Sequence, residues 1–264
     1  MIASRALTAA APAASPFLAY LRLEVRRTLR NRRYLMFTIV FPVMLYVLYT
    51  AILPQADTGT TIDGLTWPVY FLVSMASYGA IGAAMSQASP IAIERRGGWV
   101  RQLRVTPLPG LAYVAAKVAS SVVLTVPALG LVALAGTLVN HVHLGLGDLV
   151  LTIAALALGS LPFAALGLLL GYLLDADSAQ GGMVLSYFTL AILGGLFAPL
   201  SAFPDWLATI GHVLPSSHLA GLGRSVAAGR APDVTDVAVL AAWALALGSL
   251  AAWCYVRDER SGRA

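Results

Sequence analysis

The sequence predicts an all-α membrane protein with six transmembrane helices, and three observations carry that prediction. Of the 264 residues, 59% are hydrophobic and 11% are charged, with a mean hydropathy of +0.80, a balance too apolar for a soluble domain. Uncharged runs recur at lengths that cross a hydrocarbon core of about 30 Å: Thr66 to Ile93 carries no charge, and Val105 to Asn140 carries only Lys117. Between those two runs lies a basic island, 94–109, holding Arg95, Arg96, Arg101 and Arg104. Lys and Arg are retained on the cytoplasmic face far more often than they are translocated, so the island is expected in water on that side.

The elements follow in order. Residues 1–16 are small and Ala-rich, with Pro12 interrupting them and Arg5 as the only charge; they read as a disordered cytoplasmic tail rather than a signal peptide. Over 17–33, Phe17, Leu21, Val25 and Leu29 repeat every four residues while Arg22, Arg26, Arg27 and Arg30 take the other side. That is a basic amphipathic helix of the kind that lies in the membrane interface. The first span is expected over 34–53, with Pro42 kinking it. The loop 54–65 has Asp57 and Asp63 without a basic residue and reads as external. The second span, 66–93, opens on Trp67 and Pro68. Its Gly79, Gly82, Ala83 and Ala84 place it inside the bundle, because small side chains let helices approach closely.

The third span is expected over 111–139. Lys117 falls a turn or two inside its cytoplasmic end, where the stem would snorkel to the headgroups; a buried functional charge is the alternative. The following connection has His141 and His143 but no Lys or Arg, which fits the outside. A His-x-His pair lacks the Cys, Asp or Glu neighbours that would complete a metal site. The fourth span, 149–174, contains Gly167-x-x-x-Gly171, a close-packing signal. The fifth, 182–198, carries Gly194-Gly195 and ends at Pro199. The stretch 200–230 is too polar to cross a bilayer and too apolar to be fully solvated. Such backbone survives at membrane depth only under a cover of protein or beside a water-filled cavity; an interfacial helix anchored by Trp206 is the other reading. The sixth span, 237–256, is followed by a basic tail, 257–264. This arrangement puts both termini and the island in the cytoplasm, with Arg224 and Arg230 as a departure from external segments that lack Lys and Arg before the fifth span.

Several chemistries are missing. No carboxylate lies deep in a predicted span, which disfavours proton- or sodium-coupled transport. No Gly-x-Ser-x-Gly occurs, and all four histidines fall outside the central spans, so a membrane hydrolase has no evident nucleophile and base. The only lysine, Lys117, lacks the glycine frame of a phosphate loop. A lone Cys254 excludes an intramolecular disulfide and a cysteine-based metal centre. The formal charge of +5 is explained by anionic lipid and the positive-inside bias without nucleic acid.

The island has internal structure. Trp99 and Leu103 are four apart and share a helical face, and Arg101 and Arg104 fall elsewhere on the turn. Gly97-Gly98 loosens the chain before that turn, and Pro107 and Pro109 stop it. Two readings stand: a short cytoplasmic helix offering a partner one aromatic knob ringed by guanidinium groups, or a topology-setting loop whose Trp rests on headgroups.

Glu94, Arg95, Gly98, Trp99, Leu103, Thr106 and Pro107 resemble the loop between the second and third membrane helices of ABC-2 type permeases, although Arg96 stands where that family is often acidic. The resemblance extends to an elbow helix at 17–33. It also covers an external re-entrant region, where Pro204-Asp205-Trp206-Leu207 and Leu214-Pro215-Ser216-Ser217-His218 match recurrent patterns. It implies a coupling helix, including Arg101, docked on a separate ATPase. The chain would then be a non-catalytic permease subunit of an exporter in a bacterial-type cell membrane. It would pair with a second permease copy and two ATPase copies, with ATP and Mg bound by the ATPase and none by this chain. The apolar interior favours a hydrophobic or amphipathic cargo, drug-like or lipid-like. A non-transporting scaffold or immunity protein, or a membrane enzyme, is the alternative.

Overall fold

The computed structural model describes residues 16–52, 61–98, 102, 110–142 and 144–261. Trp99, Arg101, Leu103, Thr106 and Pro107 therefore lie outside the described residues.

The first helix among the described residues is α1 (Pro16–Leu29). After Asn31, α2 (Arg32–Leu35), a π turn (Met36–Val40) and α3 (Phe41–Ile52) run on without a break. The π turn lies just before Pro42, which has no N–H and would crowd the carbonyl four residues back. The departure expected at Pro42 takes that form. A two-residue turn at Asp63 and Gly64, both with positive φ (55° and 78°), joins β1 (Thr61–Ile62) to β2 (Leu65–Thr66). Positive φ at both central positions matches the twist of a tight hairpin.

Pro68 in the first turn opens α4 (Trp67–Met85), the central helix, and 17 of its residues are buried. A turn at Ser86 and Gln87 leads into α5 (Ala88–Arg96), which stops where Gly98 adopts φ +67°. This left-handed residue is a common helix terminator. Further on come α6 (Gly110–Asn140), α7 (Leu146–Gly159) and α8 (Leu161–Leu173). Ser160 and the Pro162 that follows interrupt the expected fourth span between α7 and α8. Its two glycines have a definite use. A Cβ at Gly167 would fall 2.9 Å from the Met85 Cα, and one at Gly171 would fall 2.8 Å from the Ala88 carbonyl, so α8 lies backbone-to-backbone against the α4–α5 turn.

Next is α9 (Ala179–Leu193), which ends at Gly194 and Gly195 (φ +74°), earlier than the 198 expected. The stretch 200–230 folds into a short 3-10 turn (Leu200–Ala202), α10 (Asp205–Gly211) and α11 (Pro215–Ala227). One face of α11 is buried against α4, α7 and the last helix, α12 (Val234–Ser261). The helix α12 continues through most of the predicted tail.

Among the described residues, four helical stretches are long and apolar enough to cross a membrane: Trp67–Arg96, Ala112–Asn140, Leu146–Leu173 and Val234–Asp258. Thr38–Ile52 and Ala179–Leu193 are apolar but shorter. The chain is thus a helical, multi-pass type of membrane protein.

Candidate functional site

The site grows from the last turns of α5, the helix that runs into the basic island. Glu94 is 5% exposed, which corrects the expectation that this position is wetted with the rest of the island. One carboxylate oxygen, Oε1, accepts from Lys117 Nζ of α6 at 2.9 Å and from Arg27 Nη1 of α1 at 2.6 Å. The other, Oε2, accepts from the Tyr113 hydroxyl at 2.7 Å. Lys117 does not snorkel. It is fully buried, and its ammonium also lies 3.0 Å from Glu24 Oε2 of α1. Two carboxylates, one ammonium and one guanidinium balance to zero formal charge. A buried ionic cluster needs that balance, because an unpaired charge away from water is very costly.

Helix α1 supplies its part through an unexpected face. The apolar stripe Phe17, Leu21 and Val25 is only half-buried, and Leu29 is exposed, while Tyr20, Glu24 and Thr28 are buried against α6. Four-residue spacing puts those three on one side. Tyr20 packs its ring 5.8 Å from that of Tyr113. Burial, then the nearby carboxylates of Glu94 and Glu24, push its phenol well above the ordinary tyrosine range, so it stays neutral. Partial burial works against the charge on Arg27, but Glu94 and Glu24 more than offset it and raise its pKa. Arg22, Arg26 and Arg30 are exposed.

Arg95, one residue on, points to the other side of α5. Its Nη1 donates to the carbonyls of Gly171 (3.1 Å) and Tyr172 (2.8 Å), and its Nη2 donates to Asp258 Oδ1 of α12 at 2.7 Å. Those carbonyls belong to the last turn of α8, where helix acceptors lack intrahelical partners and positive charge is favoured. Arg96 pairs with Asp177 at 2.9 Å in the open. The tip of α5 is therefore keyed to α1 and α6 by Glu94 and to α8 and α12 by Arg95.

The segment 200–230 is separate. Pro204 precedes α10, Trp206 is 67% exposed, Pro215 is buried at the start of α11, and His218 bonds Asp236 and the His212 carbonyl. Arg224 pairs with Asp63 Oδ2 at 3.1 Å and stacks over Tyr70, and Arg230 donates to the Asp63 carbonyl. Both arginines that broke the charge pattern thus hold the β1–β2 turn. Among the described residues, no three His, Cys, Asp or Glu side chains are placed to hold a metal ion.

Sequence reasoning missed Glu24, Tyr113 and Asp258 as site residues. A signal for the first was present: Glu24 is the one acidic residue in a strongly basic helix, and Lys117 is the one charge in a long apolar run of opposite need.

The family description "ABC-2 type transporter" matches residues 16–226. The chain belongs to the ABC-2 type transporter family. A relative named "Putative transport permease YvfS" from Bacillus subtilis (strain 168) is 28% identical over 221 residues, covering 83% of this chain and 89% of that protein. The matched region of this ABC-2 chain spans α1, α5 and α6 and so contains Glu24, Arg27, Glu94, Tyr113 and Lys117. Membership in the family makes it the membrane subunit of a transporter.

Proposed function

We propose that the chain is the permease subunit of an ATP-driven exporter, moving a hydrophobic or amphipathic cargo, drug-like or lipid-like, out of the cytoplasm or inner leaflet of a bacterial-type cell membrane. Six spans, counting the two shorter apolar helices, form half of the conduit. A second permease copy, identical or related, completes it. Two copies of a separate ABC ATPase bind ATP and Mg and dock on the island 94–109 of each permease, through Trp99 and Leu103 with Arg101 beside them. Both termini face the cytoplasm.

The observation that carries this reading is the double anchoring of α5. A helix entering a docking site can deliver force only if its end is fixed to the parts that move, and Glu94 and Arg95 join it to four other helices. When the ATPase dimer closes, the contacts on the island change, and that difference is what biases the bundle toward its second state. The test is to purify the tagged chain from its native membrane. A phosphate-loop ATPase should accompany it, and the pair in vesicles should hydrolyse ATP and move a lipophilic dye. A chain that arrives without an ATPase and moves no cargo when one is supplied contradicts the proposal.

A further inference from the structure

Helix α1 presents three different sides. Tyr20, Glu24 and Thr28 are buried against the protein, and Arg27, at the edge of that side, reaches Glu94 at 2.6 Å. Next round the helix come Leu21 and Val25, half-buried, and then Leu18 and Leu29, exposed to 54% and 41%. The third side carries Arg22, Arg26 and Arg30, all exposed. Their four-residue spacing puts them in one row, and the Arg30 N–H still donates to the Arg26 carbonyl, so the row runs unbroken past the end of α1. Among the described residues, no carboxylate lies within ion-pair distance of any of these three arginines. A row of positive charge without a negative partner in its own chain is left to water or to an anion from outside, and the adjoining leucines decide between them. Water has no use for exposed Leu18 and Leu29, whereas a bilayer surface offers acyl chains to the leucines and phosphates to the arginines beside them. The course of the chain keeps α1 near that surface, because the apolar stretch Thr38–Ile52 begins about two turns after Asn31.

We propose that Arg22, Arg26 and Arg30 form a binding row for anionic phospholipid headgroups, with Leu18 and Leu29 set in the acyl boundary beside it. A guanidinium donates two parallel N–H bonds to a phosphate, and successive arginines lie about 6 Å apart along the helix, so each meets a different lipid. The buried side of α1 fixes the aim of the row. With Glu24 held by Lys117 and Arg27 by Glu94, the helix cannot roll, and the three arginines face away from the protein. Of the four arginines expected at the interface, Arg27 is thus committed to Glu94, and three remain for lipid. The site requires a membrane but neither an ATPase nor a cargo.

The test places the full chain in nanodiscs of equal parts phosphatidylcholine and phosphatidylglycerol, releases it for native mass spectrometry and counts the retained lipids by headgroup. Wild type is expected to retain phosphatidylglycerol in preference. The triple variant Arg22→Gln/Arg26→Gln/Arg30→Gln lowers the ratio of the two lipids about tenfold or more, as the loss of three cations from an anionic surface implies. Gln is nearly as good a helix former as Arg, and the buried side of α1 is untouched, so the variant keeps its fold. Arg96→Gln/Arg230→Gln removes exposed arginines elsewhere and is expected to leave the ratio at the wild-type value. A wild type without preference, a triple variant that keeps it, or a control pair that loses as much overturns the proposal. So does a row that leaves the lipid ratio alone yet is needed for an ATPase to co-purify, since that outcome assigns the face to a protein partner. The lipid count is made without an ATPase, so the failure of this site and the failure of the exporter reading are told apart.

Discussion

At the residue scale, Lys117 explains why a charge is tolerated among apolar helices. Its ammonium bridges Glu24 and Glu94 inside protein, so removing it strands two carboxylates with only the half-exposed Arg27 for company. Lys117→Met is expected to cost about 3–5 kcal/mol, read as a lower midpoint in denaturant titration of the detergent-solubilised chain. Adding Glu24→Gln to that variant should recover part of the loss, a non-additivity of about 1–3 kcal/mol. Arg96→Ala should differ from wild type by less than about 1 kcal/mol, because its partner Asp177 is exposed. The cluster was only partly legible in the sequence. Glu94 was visible through its motif and Lys117 through its isolation, but their pairing with Glu24 depends on three helices meeting, which no local pattern encodes.

At the element scale, α5 is a short rod with both sides fastened and its free end leading to the island. Gly97-Gly98 read as a loosening of the chain before the island's turn, and Gly98, at φ +67°, ends that rod. Gly98→Ala should cost about 1–2 kcal/mol through left-handed strain, read as a lowered thermal midpoint. Helix α1 was legible as a helix and as basic, but its buried side was not. Hydrophobic periodicity finds the apolar stripe, yet in a membrane lipid covers that stripe as well as protein does, so Tyr20, Glu24 and Thr28 could take the protein side. A similar limit applied to α7 and α8. The apolar run reads as one span and remains one crossing-length stretch, Leu146–Leu173, but the break inside it at Ser160 depends on Pro162 and on how α8 seats against the α4–α5 turn. Two arginines show the reverse case: Arg224 and Arg230 were odd in the charge pattern because they serve the Asp63 turn.

At the scale of the whole molecule, α4 is the buried axis, whereas the apolar window of α12 is only 22% buried. A helix so exposed and so apolar faces lipid or a second copy. Leu245 is 72% exposed near its middle, and Leu245→Arg should reduce membrane insertion by a penalty of about 2.5–3.5 kcal/mol, measured in a translocation assay. Orientation has its own check. A cysteine placed at Gln102 should react with an impermeant thiol reagent in inside-out vesicles and stay unlabelled on intact cells; the opposite pattern inverts the topology. The central claim is that force enters through the island. It is tested most directly by the ratio of cargo moved to ATP hydrolysed when permease and ATPase are reconstituted together, wild type against Trp99→Ala and Leu103→Arg. The account predicts a fall of about tenfold or more in both variants, a coupling loss of about 1.4 kcal/mol, with insertion intact. An unchanged ratio in both variants would contradict it.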